Sequence, residues 1–194
     1  MTIKLKATPK AKAKAKKSEE HYIFRPFNDE SFNATSEAWR ADVAGGVGFA
    51  PEVEQTLTWI GAHLTLTENE MAYGVFSKND KVAMGVCELA ITKPGVSGKW
   101  VKLIKLRLRP EVDELLFQNS TEGTSIALNS YVAAVLGVYH VKNVHQATTI
   151  KIYGRTQDQM RFLTLMFEAL KVREDATFVP EIQGRWLTLN WGKK

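Results

Sequence analysis

The sequence predicts an α/β domain with a mixed, mostly antiparallel central sheet flanked by helices on both faces. Three observations favour this class. Segments whose apolar residues alternate with polar ones are interspersed with segments whose apolar residues recur every three or four positions. Two of the alternating segments are joined by a short polar turn, which is typical of an antiparallel hairpin. The 194 residues are 44% hydrophobic and 24% charged, enough apolar material for one sizeable core.

The first part of this domain is predicted to be a strand followed by two helices. Residues 21–27 alternate polar and apolar side chains, as a strand does. Residues 31–43 indicate a polar helix, which a glycine-rich stretch ends. Pro51 then opens a second helix, because proline is tolerated in the first helical turn. The apolar face of that helix is expected to carry Val53, Leu57, Ile60 and Leu64.

The middle of the chain contains the clearest hairpin. Residues 71–77 and 81–92 are strand-like and flank the polar turn 78–80. Residues 100–110 predict a further strand that ends at Pro110. Its two faces are expected to carry Ile104, Leu106 and Leu108 on one side and Lys105, Arg107 and Arg109 on the other.

The last part predicts one long helix and a closing set of strands. Residues 111–123 are expected to be a loop or irregular helix, and residues 124–140 a mostly buried helix. A strand over 148–154 precedes a helix whose start is marked by a capping box between Thr156 and Gln159. A final hairpin closes the chain. The element order β-α-α-β-β-β-α-β-α-β-β places two helices on each side of the sheet.

The positive charge of the chain is concentrated at its N-terminus. The formal net charge is +5, but seven of the 26 basic residues lie within residues 1–17, where there is no acidic residue. Residues 18–194 thus contain 19 basic and 21 acidic residues. We therefore predict a disordered Lys/Ala-rich basic arm over residues 1–20 and a single domain over 21–194. Two interpretations of the arm stay open: a contact for nucleic acid or another polyanion through residues 1–17, and a solvated tail.

The composition also argues against several classes of protein. A single cysteine, Cys87, excludes an internal disulfide and a zinc site built from several cysteines, which favours a reducing, cytoplasmic location. No run approaches the ~20 consecutive apolar residues of a membrane helix, and no secretory signal is recognised, so no membrane partner is expected. The spacing of His140 and His145 does not suit a metal pair, and no metal site is predicted.

This order of elements resembles the GCN5-related N-acetyltransferase superfamily over residues 21–191. The hairpin MAYGVFSKNDKVAMGVCELAIT followed by KLIKLRLRPEV is similar to the family's second and third strands and to its fourth, whose end often carries a hydrophobic-x-Pro-Glu stretch. The resemblance implies that the strands 100–109 and 148–154 splay apart and that acetyl-CoA lies in the gap. It also implies an acetyl transfer to an amine carried by a small molecule or a protein.

Two family signatures are altered in this chain. The cofactor loop R/Q-x-x-G-x-G/A corresponds to FQNSTEGTSIAL, where only Gly123 remains and Glu122 would repel a pyrophosphate. The tyrosine that is commonly the family's general acid corresponds to Phe167, which has no hydroxyl group. The resemblance implies five cofactor-binding residues, namely Leu108, Gly123, Thr124, Ser125 and Arg155.

Glu88 is the residue expected to act as general base, since family members often place one on this strand. The alternative is an outward-facing carboxylate paired with a nearby lysine. Cys87 should face the opposite side of the strand and serve as a small core residue.

The cationic row Lys105, Arg107 and Arg109 allows three interpretations. It lines a cleft for an anionic ligand, or acids of the preceding helices cover it, or it faces solvent. The acids considered are Glu37, Asp42, Glu52 and Glu54.

Two functions follow from these observations. The first is an N-acyltransferase that moves an acetyl group from acetyl-CoA to an amine. The second is a non-catalytic binding or structural protein with the same fold, similar to small phage proteins, whose basic arm contacts a polyanion or an assembly partner. Because late strands often mediate dimers in the family, the resemblance also implies a homodimer. Trp186 and Trp191 are five residues apart on the closing strand and should therefore face opposite sides of it.

Overall fold

The computed structural model describes residues 22–67, 69–93, 98–172 and 177–191. Within these ranges the chain forms a sheet of seven strands and five helices. The strands are β1 (Tyr22–Pro26), β2 (Glu70–Ser77), β3 (Ala83–Ile91), β4 (Trp100–Leu108), β5 (Thr149–Tyr153), β6 (Phe178–Gln183) and β7 (Trp186–Trp191). The helices are α1 (Asp29–Ala44), α2 (Ala50–Ala62), α3 (Pro110–Phe117), α4 (Thr121–Val144) and α5 (Gln157–Lys171). The predicted basic arm lies outside the described residues.

The strand order across the sheet is β1-β2-β3-β4-β5-β7-β6. Neighbouring strands are antiparallel except β4 and β5, which run parallel. Parallel neighbours need a long crossover, and α3 and α4 provide it. The prediction of a mixed, mostly antiparallel sheet is therefore confirmed.

Helices cover both faces of the sheet, as predicted. On one face, α1 and α2 pack over β2 and β3 around Trp39, Leu57 and Phe76, which are fully buried or nearly so. On the other face, α4 and α5 pack over β3, β4, β5 and β7. That core includes Leu103, Val138, Ile150, Leu163 and Leu187.

The segment before the long helix differs from the prediction. Residues 111–123 were expected to be a loop or irregular helix, but Pro110 begins the eight-residue helix α3, and α4 begins at Thr121 rather than at 124. A proline fits the first turn of α3 because its missing N–H has no helical partner there. Asn119, with a φ of 56°, separates the two helices, and Ser120 then caps α4.

Ile104 was predicted to share a face with Leu106 and Leu108, and this is wrong. Glu88 pairs with Lys105, whereas the next residue on β3 pairs with Leu103, so Ile104 is an extra residue in a β-bulge. A bulge reverses the alternation of side chains beyond it. The buried positions of β4 are therefore Val101, Leu103, Leu106 and Leu108.

Helix α4 is the longest helix, and by length and composition alone it could cross a membrane. In this fold it lies against the sheet, with Ala134 and Val138 fully buried. Only 33% of its most apolar stretch is buried, and Val132 and Leu136 are 44% and 64% exposed, so the prediction of a mostly buried helix over 124–140 is wrong. One side of α4 packs on the sheet, and the other side leaves apolar residues exposed.

Candidate functional site

The sheet opens between its two parallel strands. Residues Trp100–Leu103 of β4 pair with Thr149–Ile152 of β5, and there the ladder ends. β4 continues to Leu108, whereas β5 ends at Tyr153. The divergence that the family resemblance implies is thus present, and it leaves one edge of residues 104–108 without a neighbouring strand among the described residues.

A cleft of about 690 Å³ occupies this opening. It is bounded by the second half of β4, by α3 and α4, and by the end of β5 with the start of α5. The apolar lining consists of Leu106, Leu108, Leu116, Ala127, Leu128 and Phe162. The polar and charged lining consists of Glu52, Lys105, Arg107, Asp113, Thr124, Tyr131, Arg155, Thr156, Asp158 and Gln159. An apolar cleft with a few converging polar groups is typical of a ligand site.

The predicted capping box shapes the far wall of the cleft. The Gln159 backbone N–H donates to Thr156 Oγ1 at 3.2 Å, and the Thr156 N–H donates to Gln159 Oε1 at 3.3 Å. The same Gln159 oxygen accepts the Arg155 N–H at 2.8 Å. These hydrogen bonds fix the short turn between the end of β5 and the start of α5. Arg155 and Thr156 lie in this turn, at the mouth of the cleft.

Acidic residues hold the cationic row of β4. Arg109 donates to Asp42 of α1 from Nε and Nη2, both at 2.8 Å, and Arg107 pairs with Glu52 of α2. For these two arginines, the interpretation that acids of the preceding helices cover the row is correct. Glu54, also considered for this role, pairs with Arg40 instead.

Lys105 and Glu88 face each other across β4 and β3, with 2.9 Å between Nζ and Oε1. Both side chains are mostly buried. Lys105 lines the cleft, whereas Glu88 stands behind it and is not part of the lining. The carboxylate of Glu88 therefore neutralises a cation of the cleft wall, and its role as general base stays a prediction.

Among the carboxylic acids that line the cleft, Asp113 has the pKa that departs most from its ordinary value. Asp113 is an exposed residue of α3 whose side chain lines the cleft, where neighbouring protein atoms partly desolvate the carboxyl group. This desolvation raises the pKa of Asp113 to about 6, against the attraction of Arg107 and with a further contribution from Glu52. A carboxylate that titrates near neutral pH is suited to accept and release protons.

Tyr131 brings a hydroxyl group into the same cleft from the middle of α4. Burial is the main cause that raises its pKa, and a hydrogen bond with Gln159 opposes the shift. The ring packs on Phe162 of α5, with 5.2 Å between centroids. Tyr131 therefore keeps its proton at neutral pH and is held in a defined position.

Three of the five predicted cofactor residues meet at the cleft. Leu108 lies in its wall as a buried side chain, Thr124 faces it from the first turn of α4, and Arg155 is exposed at its mouth. Among the described residues, Arg155 has no ion-pair partner within 4 Å. Its guanidinium is thus available to an anion.

Gly123 and Ser125 lie elsewhere. The Gly123 N–H donates to Ser120 Oγ at 3.3 Å, and a Cβ on Gly123 would stand 2.6 Å from Leu115 Cβ. This glycine allows α3 and α4 to pack closely. Ser125 is exposed on α4 and does not line the cleft. Their role in cofactor binding stays a prediction.

Cys87 and Phe167, which the sequence analysis also considered, are core residues. Cys87 is fully buried, as predicted, and burial raises the pKa of its thiol, which makes it a poor nucleophile. Phe167 packs against the core beneath α5 and is not part of the cleft. Among the described residues, no group of three or more His, Cys, Asp or Glu side chains could hold a metal ion.

Sequence reasoning missed Asp113 and Tyr131. Asp113 lies in the segment expected to be irregular, so nothing indicated the direction of its side chain. Tyr131 fits the apolar band of α4, and its spacing alone resembles a core residue. One signal was available: Tyr131 follows Thr124 by seven residues, which places both on one side of the helix.

No protein-family model matches this chain, and no curated protein matches it in sequence. The crystal structure of AtaTR bound with AcCoA is similar to it, with a TM-score of 0.50 and 12% identity over 88% of this chain and 93% of the other. A GNAT family acetyltransferase from Brucella melitensis in complex with acetyl-CoA matches with a TM-score of 0.43 and 13% identity over 89% and 90% of the two chains. An acetyltransferase of the GNAT family from Staphylococcus aureus Mu50 matches with a TM-score of 0.44 and 11% identity over 87% of this chain and 98% of the other.

The first of these likenesses confirms the predicted fold. The chain has the fold of the GCN5-related N-acetyltransferases, and its similarity extends over nearly all of the domain. At this level of identity the likeness concerns the fold alone, and function has to be argued from the cleft.

Proposed function

We propose that this protein transfers an acetyl group from acetyl-CoA to an amine carried by a small molecule or a protein. The observation that supports the proposal is the opening of the sheet between β4 and β5. In the described part of the chain, no strand pairs with the edge of residues 104–108 at this opening, which holds a cleft of about 690 Å³. An unpaired strand edge presents N–H and C=O groups to an extended chain that carries amides. The amide-bearing arm of coenzyme A has that chemistry.

The walls of the cleft suit such an arm. Leu106, Leu108 and Ala127 provide apolar contact for its methylene groups. The Thr124 hydroxyl, which donates to the Ser120 carbonyl oxygen at 3.0 Å, provides an acceptor oxygen. Arg155 at the mouth is the cation that would hold the phosphates, because Lys105 and Arg107 already have acidic partners. The residues therefore fit acetyl-CoA, although the glycine-rich loop of the family is replaced by α3.

Acetyl-CoA supplies a thioester whose carbonyl carbon accepts an amine. In this chain Asp113 would take a proton from the incoming amine, since its pKa of about 6 leaves it ionised at neutral pH. Tyr131, whose proton is retained, would donate a proton to the leaving sulfur. The two side chains line the same cleft, so positioning of the reactants is the remaining contribution.

The alternative is a non-catalytic protein that keeps the fold and uses the cleft only for binding. One observation favours it. Helix α3 occupies the segment between β4 and α4, and the Gly123 N–H at the start of α4 is already bonded to Ser120. The backbone donors that usually hold a pyrophosphate at a helix start are fewer here.

Calorimetric titration of the full chain with acetyl-CoA tests the site. Replacing Thr124 with Trp places an indole in the cleft, whereas Asn129→Trp places the same group on the exposed side of the same helix, outside the cleft. We expect saturable binding that Thr124→Trp weakens by tenfold or more and Asn129→Trp leaves unchanged. Absence of heat at millimolar acetyl-CoA would contradict the proposal.

An acetyl-transfer assay then separates the two functions. Polyamines, aminoglycosides and lysine peptides are suitable acceptors, and release of free thiol is the readout. Turnover that disappears in Thr124→Trp supports the transferase. Cleft-dependent binding of acetyl-CoA with no thiol release for any amine supports the non-catalytic alternative.

A further inference from the structure

Among the residues that the structure describes, α1 and α2 cover only part of one face of the sheet. The apolar side chains of these helices pack with β2 and β3. Farther along the same face, β4, β5 and β7 carry aromatic and cationic side chains that belong to neither large core cluster described above. We call this set the aromatic platform, and its members are Trp100, Lys102, Lys151, Tyr153 and Trp186.

Strand register places the platform on one face. Lys102 is opposite Lys151, and Tyr153 is opposite Trp186. The residues that alternate with them along these strands, such as Leu103 and Ile152, lie on the opposite face, in the core beneath α4 and α5. All five platform side chains are therefore on the side away from α4, and each is partly exposed.

The platform is a connected surface. Lys102 Nζ lies 4.1 Å from the ring centroid of Trp100 and 5.9 Å from that of Trp186. The rings of Trp186 and Tyr153 are 4.9 Å apart, and the Arg185 guanidinium lies 6.0 Å from the Tyr153 ring. Lys102 thus lies between the rings of Trp100 and Trp186, and the Trp186 ring contacts that of Tyr153 directly.

A buried polar group lies among these residues. Thr188 is opposite Lys151 on the same face, is only 2% exposed, and its hydroxyl has no hydrogen-bond partner. At 2% exposure this hydroxyl is not accessible to a ligand, so Thr188 lies beneath the platform side chains and is not one of the platform's contacts with a ligand.

The charge of the platform is positive. Within the described part of the chain, neither Lys102 nor Lys151 forms an ion pair, and Lys99 is exposed at the start of β4. Glu181 of β6 lies opposite Thr188 on this face, and its carboxylate accepts a hydrogen bond from Gln183 at 2.8 Å. The platform therefore favours a ligand that is both anionic and aromatic.

We propose that the aromatic platform binds single-stranded nucleic acid. Unpaired bases stack on exposed aromatic rings of a sheet, and lysines beside the rings contact the phosphates. A duplex keeps its bases stacked inside and cannot use the rings in this way. An apolar protein partner would leave Lys102 and Lys151 without a counter-charge.

This inference does not rest on the proposed acetyl transfer. The platform reaches the cleft at Tyr153, which is two residues from Arg155, but its ligand is held by other side chains. A protein that fails to bind acetyl-CoA could still bind nucleic acid, and the reverse also holds. The two proposals are therefore tested by separate measurements.

Fluorescence anisotropy of labelled oligothymidylate and oligouridylate, titrated with the full chain at physiological salt, tests the proposal. We expect binding with quenching of tryptophan emission, weaker binding to a duplex of equal length, and weaker binding to inorganic polyphosphate, which has no bases. Trp186→Ala should weaken binding by about tenfold, as loss of one base-stacking ring does. Trp59→Ala removes a tryptophan of α2 that stacks on His63, and it should have no effect.

A second variant, which changes a charge, tests the proposal independently in case the tryptophan variant does not fold. Lys151→Glu should weaken binding and reduce its salt dependence, whereas Lys78→Glu in the hairpin turn should leave both nearly unchanged. A full chain in which the seven lysines of residues 1–17 are glutamines measures the contribution of the arm. If that chain loses all binding while Trp186→Ala and Lys151→Glu bind normally, or if polyphosphate binds as tightly as oligothymidylate, the proposal is wrong.

Discussion

Arg109 and Asp42 join the end of β4 to α1 through two parallel hydrogen bonds of 2.8 Å. The two side chains are 19% and 11% exposed, so the pair is largely shielded from water. Glu111 approaches the same guanidinium at 3.1 Å. This pairing fixes the point where β4 leaves the sheet and α3 begins, which is one end of the cleft.

Loss of this pair should destabilise the protein. Asp42→Ala leaves the Arg109 guanidinium partly buried with only Glu111 as a partner, and we expect the free energy of unfolding to fall by about 1–3 kcal/mol. Urea denaturation followed by circular dichroism measures the change. Glu54→Ala is the matched control, because it breaks the exposed ion pair with Arg40 and should change little. Equal effects of the two variants would contradict this account.

Gly123 should not tolerate a side chain. A Cβ at this position would lie 2.6 Å from Leu115 Cβ and 2.8 Å from its carbonyl carbon, so α3 would have to move. We expect Gly123→Ala to lower the melting temperature, at a cost of about 1–3 kcal/mol, despite the better helix propensity of alanine. Ser125→Ala on the exposed side of the same turn should be neutral or slightly stabilising. A Gly123→Ala protein as stable as the original would show that α3 is not held against α4.

Asp113 should control the pH dependence of acetyl transfer. A general base must be ionised, so the rate should fall as the pH drops through about 6, and Asp113→Asn should remove this dependence together with most of the activity. A pH profile of kcat/KM measures both. Glu168→Gln on the exposed side of α5 is the control and should keep the original profile.

Asp113→Asn should lower activity, but it should not lower the free energy of unfolding. Because the folded-state pKa of Asp113 lies above its ordinary value, the folded protein favours the protonated form, and the contribution of this group to stability is lost as the pH rises through about 6. Asp113→Asn should therefore be as stable as the original protein, or more stable, at pH 8. A marked loss of stability at that pH would show that the carboxylate has a favourable partner in the fold.

Tyr131 should be needed for turnover and not for folding. Tyr131→Phe keeps the ring contact with Phe162 and removes only the hydroxyl group, so we expect kcat to fall by about a hundredfold with little change in acetyl-CoA affinity. Tyr139→Phe changes an exposed tyrosine of the same helix outside the cleft and should have no effect. If kcat is unchanged in Tyr131→Phe, the hydroxyl is not the proton donor.

Much of the fold follows from local patterns. The hairpin turn at 78–80, the capping box of Thr156 and Gln159, and the helical spacing of Val53, Leu57 and Ile60 each involve residues close in the chain. Such signals depend on local backbone geometry, which the sequence carries directly. The opposite orientation of Trp186 and Trp191 is also confirmed, because alternation along a strand is a local property: Trp186 contacts Tyr153, and Trp191 contacts Tyr139 of α4.

The errors arise where residues distant in the chain decide the outcome. The bulge at Ile104 depends on the register between β3 and β4, and no periodicity within β4 reveals it. The close packing of Gly123 on Leu115 also depends on how α3 lies against α4, which the sequence did not reveal, and the role of Gly123 in cofactor binding stays a prediction. The choice among three interpretations of the cationic row also required the positions of α1 and α2.

The sequence by itself therefore determined the order of the elements, the mixed sheet and the resemblance to the acetyltransferase fold, since these follow from periodicity, turns and caps. Only the tertiary structure decided which side chains share the cleft. Asp113 and Tyr131 are 18 residues apart on two helices, and Arg155 lies in the turn between β5 and α5. Burial and the charges of spatial neighbours set the titration of such groups, and both are properties of the folded molecule.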